Sequence, residues 1–127
     1  MNGKLSLNYG MQLDIRTFGL LFENLCYRDL SVYSRPIGGV LKHYRDRYGL
    51  ECDNVIHFKN GDYGLIEIKL GGTRIKEAEE HLINLKNLIK ENKKIPEPLF
   101  SMIITGTDMA YTTENGILVV PIGCLKD

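Results

Sequence analysis

The stretch that most constrains this chain is 50–70, Leu-Glu-Cys-Asp-Asn-Val-Ile-His-Phe-Lys-Asn-Gly-Asp-Tyr-Gly-Leu-Ile-Glu-Ile-Lys-Leu. Two β-rich runs flank Asn60-Gly61, the strongest short-range signal for a hairpin. Strand side chains alternate, so Glu67 and Lys69 share one face and Ile66 and Ile68 the other. An acid and a lysine on a half-buried strand need partners, because burying an unpaired charge is costly. Asp53, on the first run, is a candidate partner, and loop parity decides whether it can be one. A two-residue loop of Asn60-Gly61 pairs Asp53 with Ile68 and turns it away from Glu67. A three-residue loop, Lys59-Asn60-Gly61 with Gly61 left-handed, sets Asp53 across from Glu67 and Glu51 across from Lys69. Opposed Cβ atoms then lie about 4.5–5.5 Å apart. Two carboxylates that close repel unless a cation separates them or one is protonated. The expectation is therefore the odd-numbered loop and a divalent metal.

Before the hairpin, a helix begins around Asp14 to Thr17, either of which can cap it. Phe18, Leu21, Phe22 and Leu25 recur at helical spacing and predict its buried stripe. The helix is expected to run to about Tyr33 and to stop before Pro36. Glu23 sits among these apolar residues, either as a solvent-facing glutamate or as an acid aimed at the hairpin. Ile37-Gly38-Gly39 reads as a turn, Val40 to Arg45 as a strand, and Asp46-Arg47-Tyr48-Gly49 as the connection into the central hairpin. Residues 1–14 show no clear period and read as an N-terminal segment, with 15–127 as the domain.

After a break at Gly71-Gly72-Thr73, a second helix is predicted from about Lys76 to Glu91. Ile75, Ala78, Leu82, Leu85 and Ile89 form its buried stripe. Lys76, Lys86, Lys90, Lys93 and Lys94 lie on or after it, as a solvated face or as a stripe that tracks phosphates. Leu99 to Thr105 reads as a buried strand. A second hairpin joins Tyr111–Thr113 to Ile117–Val120 through Glu114-Asn115-Gly116. A central mixed sheet of about five strands flanked by helices, an α/β arrangement, is the economical fold. The crossover from Leu70 to Leu99 should join parallel neighbours and be right-handed.

The 127 residues suffice for one domain. Lys+Arg and Asp+Glu both total 16, which argues against a strongly electrostatic nucleic-acid binder but leaves room for a local basic stripe. Cys26, Cys52 and Cys124 are widely spaced, as expected for buried, reduced thiols in a cytoplasmic protein rather than a zinc site. No apolar run approaches the roughly 18–20 residues of a membrane span, and no secretion signal opens the chain.

Asp53, thirteen residues, then Glu67-x-Lys69, with Glu23 in the preceding helix, resembles the PD-(D/E)xK, restriction-endonuclease-like superfamily. A closer resemblance is to the C-terminal domain of unknown function of bacterial and archaeal AAA-type ATPases. It runs through Phe22-Glu23-Asn24-Leu25, Tyr44-Arg45-Asp46, Gly49-Leu50-Glu51-Cys52-Asp53, Ile66-Glu67-Ile68-Lys69-Leu70-Gly71, Thr105-Gly106-Thr107 and Val120-Pro121-Ile122-Gly123. Cys52 stands where the superfamily has a proline. No GxxxxGK[ST] phosphate loop occurs, so the resemblance implies that the ATPase belongs to a longer parent chain.

The resemblance implies metal-dependent phosphodiester hydrolysis on DNA or RNA. Asp53 and Glu67 would hold Mg²⁺ or Mn²⁺ with the Ile68 carbonyl, and Glu23 would act through water or a ligand hydrogen bond. Lys69 would orient the attacking water or neutralise developing charge, and Arg45 would contact a phosphate. Two other readings stand beside it. Asp53, Glu67, Lys69 and Arg45 would serve equally as a buried ion network, closed by Glu51–Lys69 and Asp53–Arg45 pairs. The domain would then be a non-catalytic module that docks on the ATPase, on a partner or on another copy. Acids that converge in an open cleft favour the enzyme, and acids sealed and paired favour the module.

Overall fold

The computed structural model describes residues 4–6, 12–45, 51–92 and 94–125, with side chains from residue 20 onward except Asp53. The expected connection at 46–49 lies outside the described residues. Strands β1 (Lys4–Ser6) and β2 (Gln12–Asp14) pair antiparallel as a small ribbon. Helix α1 (Ile15–Ser34) follows directly. It gives way to a 3-10 turn, Arg35–Ile37, that contains Pro36 and closes on a left-handed Gly38 at φ 76°. Then come β3 (Val40–Arg45), β4 (Glu51–His57), β5 (Tyr63–Lys69), α2 (Ile75–Glu91), β6 (Phe100–Thr105), β7 (Tyr111–Thr112) and β8 (Leu118–Pro121).

Strands β3 to β8 form one six-stranded mixed sheet in the order β3-β4-β5-β6-β8-β7. The sheet has six strands against the five or so expected, and its edge is Tyr111–Thr112, the first arm of the expected second hairpin, paired antiparallel with β8. The crossover through α2 makes β5 and β6 parallel neighbours, as its length requires. Among the described residues no helix is long and apolar enough to cross a membrane.

The central hairpin takes the three-residue loop. Phe58 N–H donates to Asp62 O at 2.9 Å, Gly61 N–H donates to Phe58 O at 3.1 Å, and Gly61 sits at φ 93°. The Asn60 side chain ties the loop, accepting from Asp62 N–H at 3.0 Å and donating to Asp62 Oδ2 at 2.7 Å. The resulting register pairs His57 with Tyr63 and Asn54 with Ile66.

A second feature was not legible in the hairpin signal. On the β3 side, Lys42 pairs with Val55 but Tyr44 pairs with Cys52. Asp53 and Asn54 therefore stand together against the single His43, which is a β-bulge. The extra residue resets the alternation. Cys52 and Val55, three apart, both enter the core under α2.

Each face of the sheet carries its own core. Under α2, Leu65, Ile103 and Val119 meet Ala78, Leu82, Leu85 and Ile89, the stripe expected from its spacing. Glu77 in the first turn and Lys90 in the last complement the α2 dipole. Under α1, Ile56, Ile66, Ile68 and Ile104 meet Phe22, Cys26 and Leu30. This differs from the expected α1 stripe. Phe22 is buried, whereas Leu21 and Leu25 are 51% and 43% exposed, and the Phe18 side chain lies outside the described ones. The apolar arc of α1 is wider than the surface the sheet offers, so packing selects one row and leaves the other outward.

Candidate functional site

Strand β5 places the acid. Its neighbours Leu65 and Ile66 fall into opposite cores, so alternation assigns Glu67 to the face of Leu65, under α2. Glu67 is 2% exposed, and His81 of α2 brings Nδ1 to 2.6 Å from its Oε1. A short contact between carboxylate and imidazole is how a buried acid is kept in a helix–sheet interface. Lys69, half-buried, shares that face by alternation and is in register with Thr105.

Glu23 lies on the other side of the sheet. It is exposed on α1 and lines a cleft of about 280 Å³ with Asn24, Tyr27, His43, Asn54 and Ile68. Glu23 and Glu67, two of the three acids expected to converge, therefore stand on opposite faces, and among the described side chains Glu23 and Ile68 are the expected residues that line this cleft. The backbone of Asp53 lies in β4 at the bulge, and its side chain is outside the described ones.

The ion pairs differ from those expected of a closed network. Arg45 Nη2 donates to Glu51 Oε1 at 2.8 Å, and His43 Nε2 is 3.9 Å from the same oxygen. The bulge explains this, because Glu51 sits beyond the shift in register and opposite Arg45. Arg45, expected at a phosphate, thus has its guanidinium engaged by a carboxylate at the exposed edge of the sheet. Lys76, Lys86, Lys90 and Lys94 are all exposed, and Lys93 lies outside the described residues.

These positions bear on a metal. Mg²⁺ and Mn²⁺ ask for converging oxygen donors. Among the described residues no three metal-ligating side chains come together. Glu67 has His81 against it and Glu23 is across the sheet, while the side chain of Asp53, the expected co-ligand of Glu67, is outside the described ones.

Sequence reasoning passed over His81, His43 and Asn54. His81 carried a readable signal: it flanks the buried stripe, one residue before Leu82, on the helix that must cover β5. Asn54 and His43 carried none, because a bulge brings them to the cleft. Burial, reinforced by Asp29 and Glu23, pushes the Cys26 thiol up to about 12.

A search of curated proteins finds no match. Among solved structures the fold is similar to a chain of the refined half-complex from the tetradecameric assembly of Thermococcus gammatolerans McrB AAA+ hexamers with bound McrC. The TM-score is 0.54 at 13% identity, over 88% of this chain and 28% of that one. The present chain thus spans little more than a quarter of that chain's length, and the likeness is one of fold. The sequence profile of a domain of unknown function, DUF4143, matches residues 18–125, which takes in both helices' packed rows, the bulged hairpin and the cleft. The chain belongs to the DUF4143 family.

Proposed function

We propose that this chain is a restriction-endonuclease-like, PD-(D/E)xK-type fold that serves as a docking module of an AAA-type ATPase rather than as a nuclease. The observation that carries this is the division of the acids: Glu67 is sealed against His81 on one face and Glu23 is exposed on the other. A second feature supports docking. Leu21, Leu25 and Val32 are exposed on the outward side of α1, with the exposed Arg28 between Leu25 and Val32, and apolar side chains gathered on one outward face suit a protein partner. The fold likeness to a chain from an AAA+ assembly supports the ATPase link. In this reading residues 15–127 are the domain and 1–14 join it to a longer parent. The free thiols of Cys26, Cys52 and Cys124 suit the cytoplasm.

Calorimetry with Mn²⁺ and Mg²⁺ tests the proposal on wild type and Glu67→Ala, alongside nicking of supercoiled and single-stranded DNA. The expected result is no saturable heat that depends on Glu67 and no nicking. Metal binding lost in Glu67→Ala, with cleavage lost in Asp53→Ala, would restore the hydrolytic alternative. In that alternative Asp53, Glu67 and Ile68 hold the cation, with Lys69 beside the attacking water and DNA or RNA as substrate.

A further inference from the structure

We infer that the cavity between strands β3–β5 and the C-terminal half of α2 binds a small uncharged aromatic molecule, a phenol or a ring of similar size. A helix is about 10 Å across and covers about two strands spaced about 4.8 Å apart. Helix α2 packs on β5 and β6, so this face of the sheet runs out from under it toward β4 and β3. The result is an apolar cavity of about 250 Å³. Val55 and Leu65 form its floor and Leu85 and Ile89 its roof, and all four belong to the core under α2. Protein interiors hold few voids larger than a water molecule, and a dry apolar cavity of about 150 Å³ is enough to bind benzene. The site lies across the sheet from α1, so the inference does not depend on the docking reading.

The lining decides the ligand's chemistry. Among the described residues no Asp, Glu, Lys or Arg lines the cavity, so a charged group would enter it unpaired, at a cost. The rings of His57 and Tyr63 stack with centroids 6.4 Å apart, and both line the cavity. They give a wall against which a flat ring packs offset or edge-on. Tyr44 and His57 are the exposed members of the lining and mark its mouth. A hydroxyl and an imidazole each donate or accept hydrogen bonds, so one polar substituent on the ligand is met there. The far end is held in place. Tyr63 Oη donates to Pro96 O at 2.5 Å and Ile95 N–H donates to Asn92 O at 3.1 Å, which fixes Ile95 against the cavity. A mostly apolar pocket with fixed walls and a few polar groups on one side is the usual form of a small-molecule site.

The test is an NMR titration of the methyl-labelled protein with p-cresol. Two controls run beside it: 4-methylcyclohexanol, of similar outline without the aromatic ring, and p-hydroxybenzoate, which carries a negative charge. Saturable shifts are expected with p-cresol at the methyls of Val55, Leu65, Leu85, Ile89 and Ile95, while those of Ile66, Ile68 and Ile104 under α1 stay in place. The alcohol should bind about threefold more weakly or worse, for want of ring packing. The carboxylate should bind about tenfold more weakly or worse, for want of a counter-charge. Ile95→Phe fills the cavity from its half-buried end and should weaken p-cresol binding by about tenfold. Unchanged methyl resonances under α1 verify the fold of that variant. No saturation by p-cresol, equal shifts in both cores, equal binding of either control, or unchanged binding in folded Ile95→Phe would each overturn the inference. The wild-type titration decides whether or not the variant folds.

Discussion

A carboxylate as deeply buried as Glu67 must be answered from inside the protein, and His81 supplies a close contact to it. Its Nδ1 lies 2.6 Å from Oε1, off the line of a well-formed hydrogen bond, while the side chain remains 42% exposed. His81→Ala should therefore cost about 1–3 kcal/mol, since it withdraws a partner from a buried acid. Glu67→Ala should cost a similar amount, and the double variant should show a coupling of about 1–2 kcal/mol in urea denaturation. Additive single effects would mean that the contact carries no energy. Cys26 makes a second statement at this scale. Its thiol, raised to about 12, stays protonated in the folded protein while an unfolded thiol ionises near 9.0. Below pH 9 its contribution to stability is complete, and it declines as pH rises from there toward 12. At pH 8 a thiol reagent should label the exposed Cys124 and leave the buried Cys26 and Cys52 untouched until the protein unfolds.

Among the elements, β5 shows how far local pattern reaches. Gly64 lies in register with Phe100 on β6, and a Cβ added there would fall 2.3–2.6 Å from the Phe100 ring. The glycine is therefore a seat for an aromatic ring. Gly64→Ala is expected to destabilise by about 1–3 kcal/mol, and pairing it with Phe100→Leu should recover part of that, read from denaturation midpoints. The hairpin of β4 and β5 was legible from Asn60-Gly61, which left two loop lengths open; the three-residue loop that forms is the one that sets Asp53 and Glu67 opposite each other. The bulge at Asp53–Asn54 was not legible, because it arises where β4 must serve β3 and β5 at once. Helix α1 shows the same division. Its extent, Ile15–Ser34, follows from spacing and Pro36, whereas the choice of Phe22–Cys26–Leu30 over Leu21–Leu25 needed the sheet.

For the whole molecule, the two cores share one sheet, with Ile103 and Ile104 pointing into opposite ones from adjacent positions on β6. Loosening either core releases the sheet that supports the other, so the domain should unfold as one cooperative unit. Phe22→Ala under α1 and Leu82→Ala under α2 should lose about 3–5 and about 2–5 kcal/mol respectively, with coincident transitions by far-UV circular dichroism and tyrosine fluorescence in each. Leu25→Ala, on the outward row, should change stability by no more than about 0.5 kcal/mol, and a larger loss would show that this row is covered in the free protein.

By itself the sequence determined the succession of helices and strands from residue 15 onward, the place of the central hairpin's turn, the buried stripe of α2 and the parallel pairing made by the crossover, but not the β1–β2 ribbon. All of these follow from periodicity, turn residues and connection length, which act over a few residues or along one element. Only the tertiary structure decided that Glu67 turns to His81 while Glu23 faces away across the sheet, and that Asn54 closes a cleft beside α1. A side chain's face depends on which helix covers which side, and a single inserted residue in one ladder resets it, so the placement of these groups is a property of the assembled sheet.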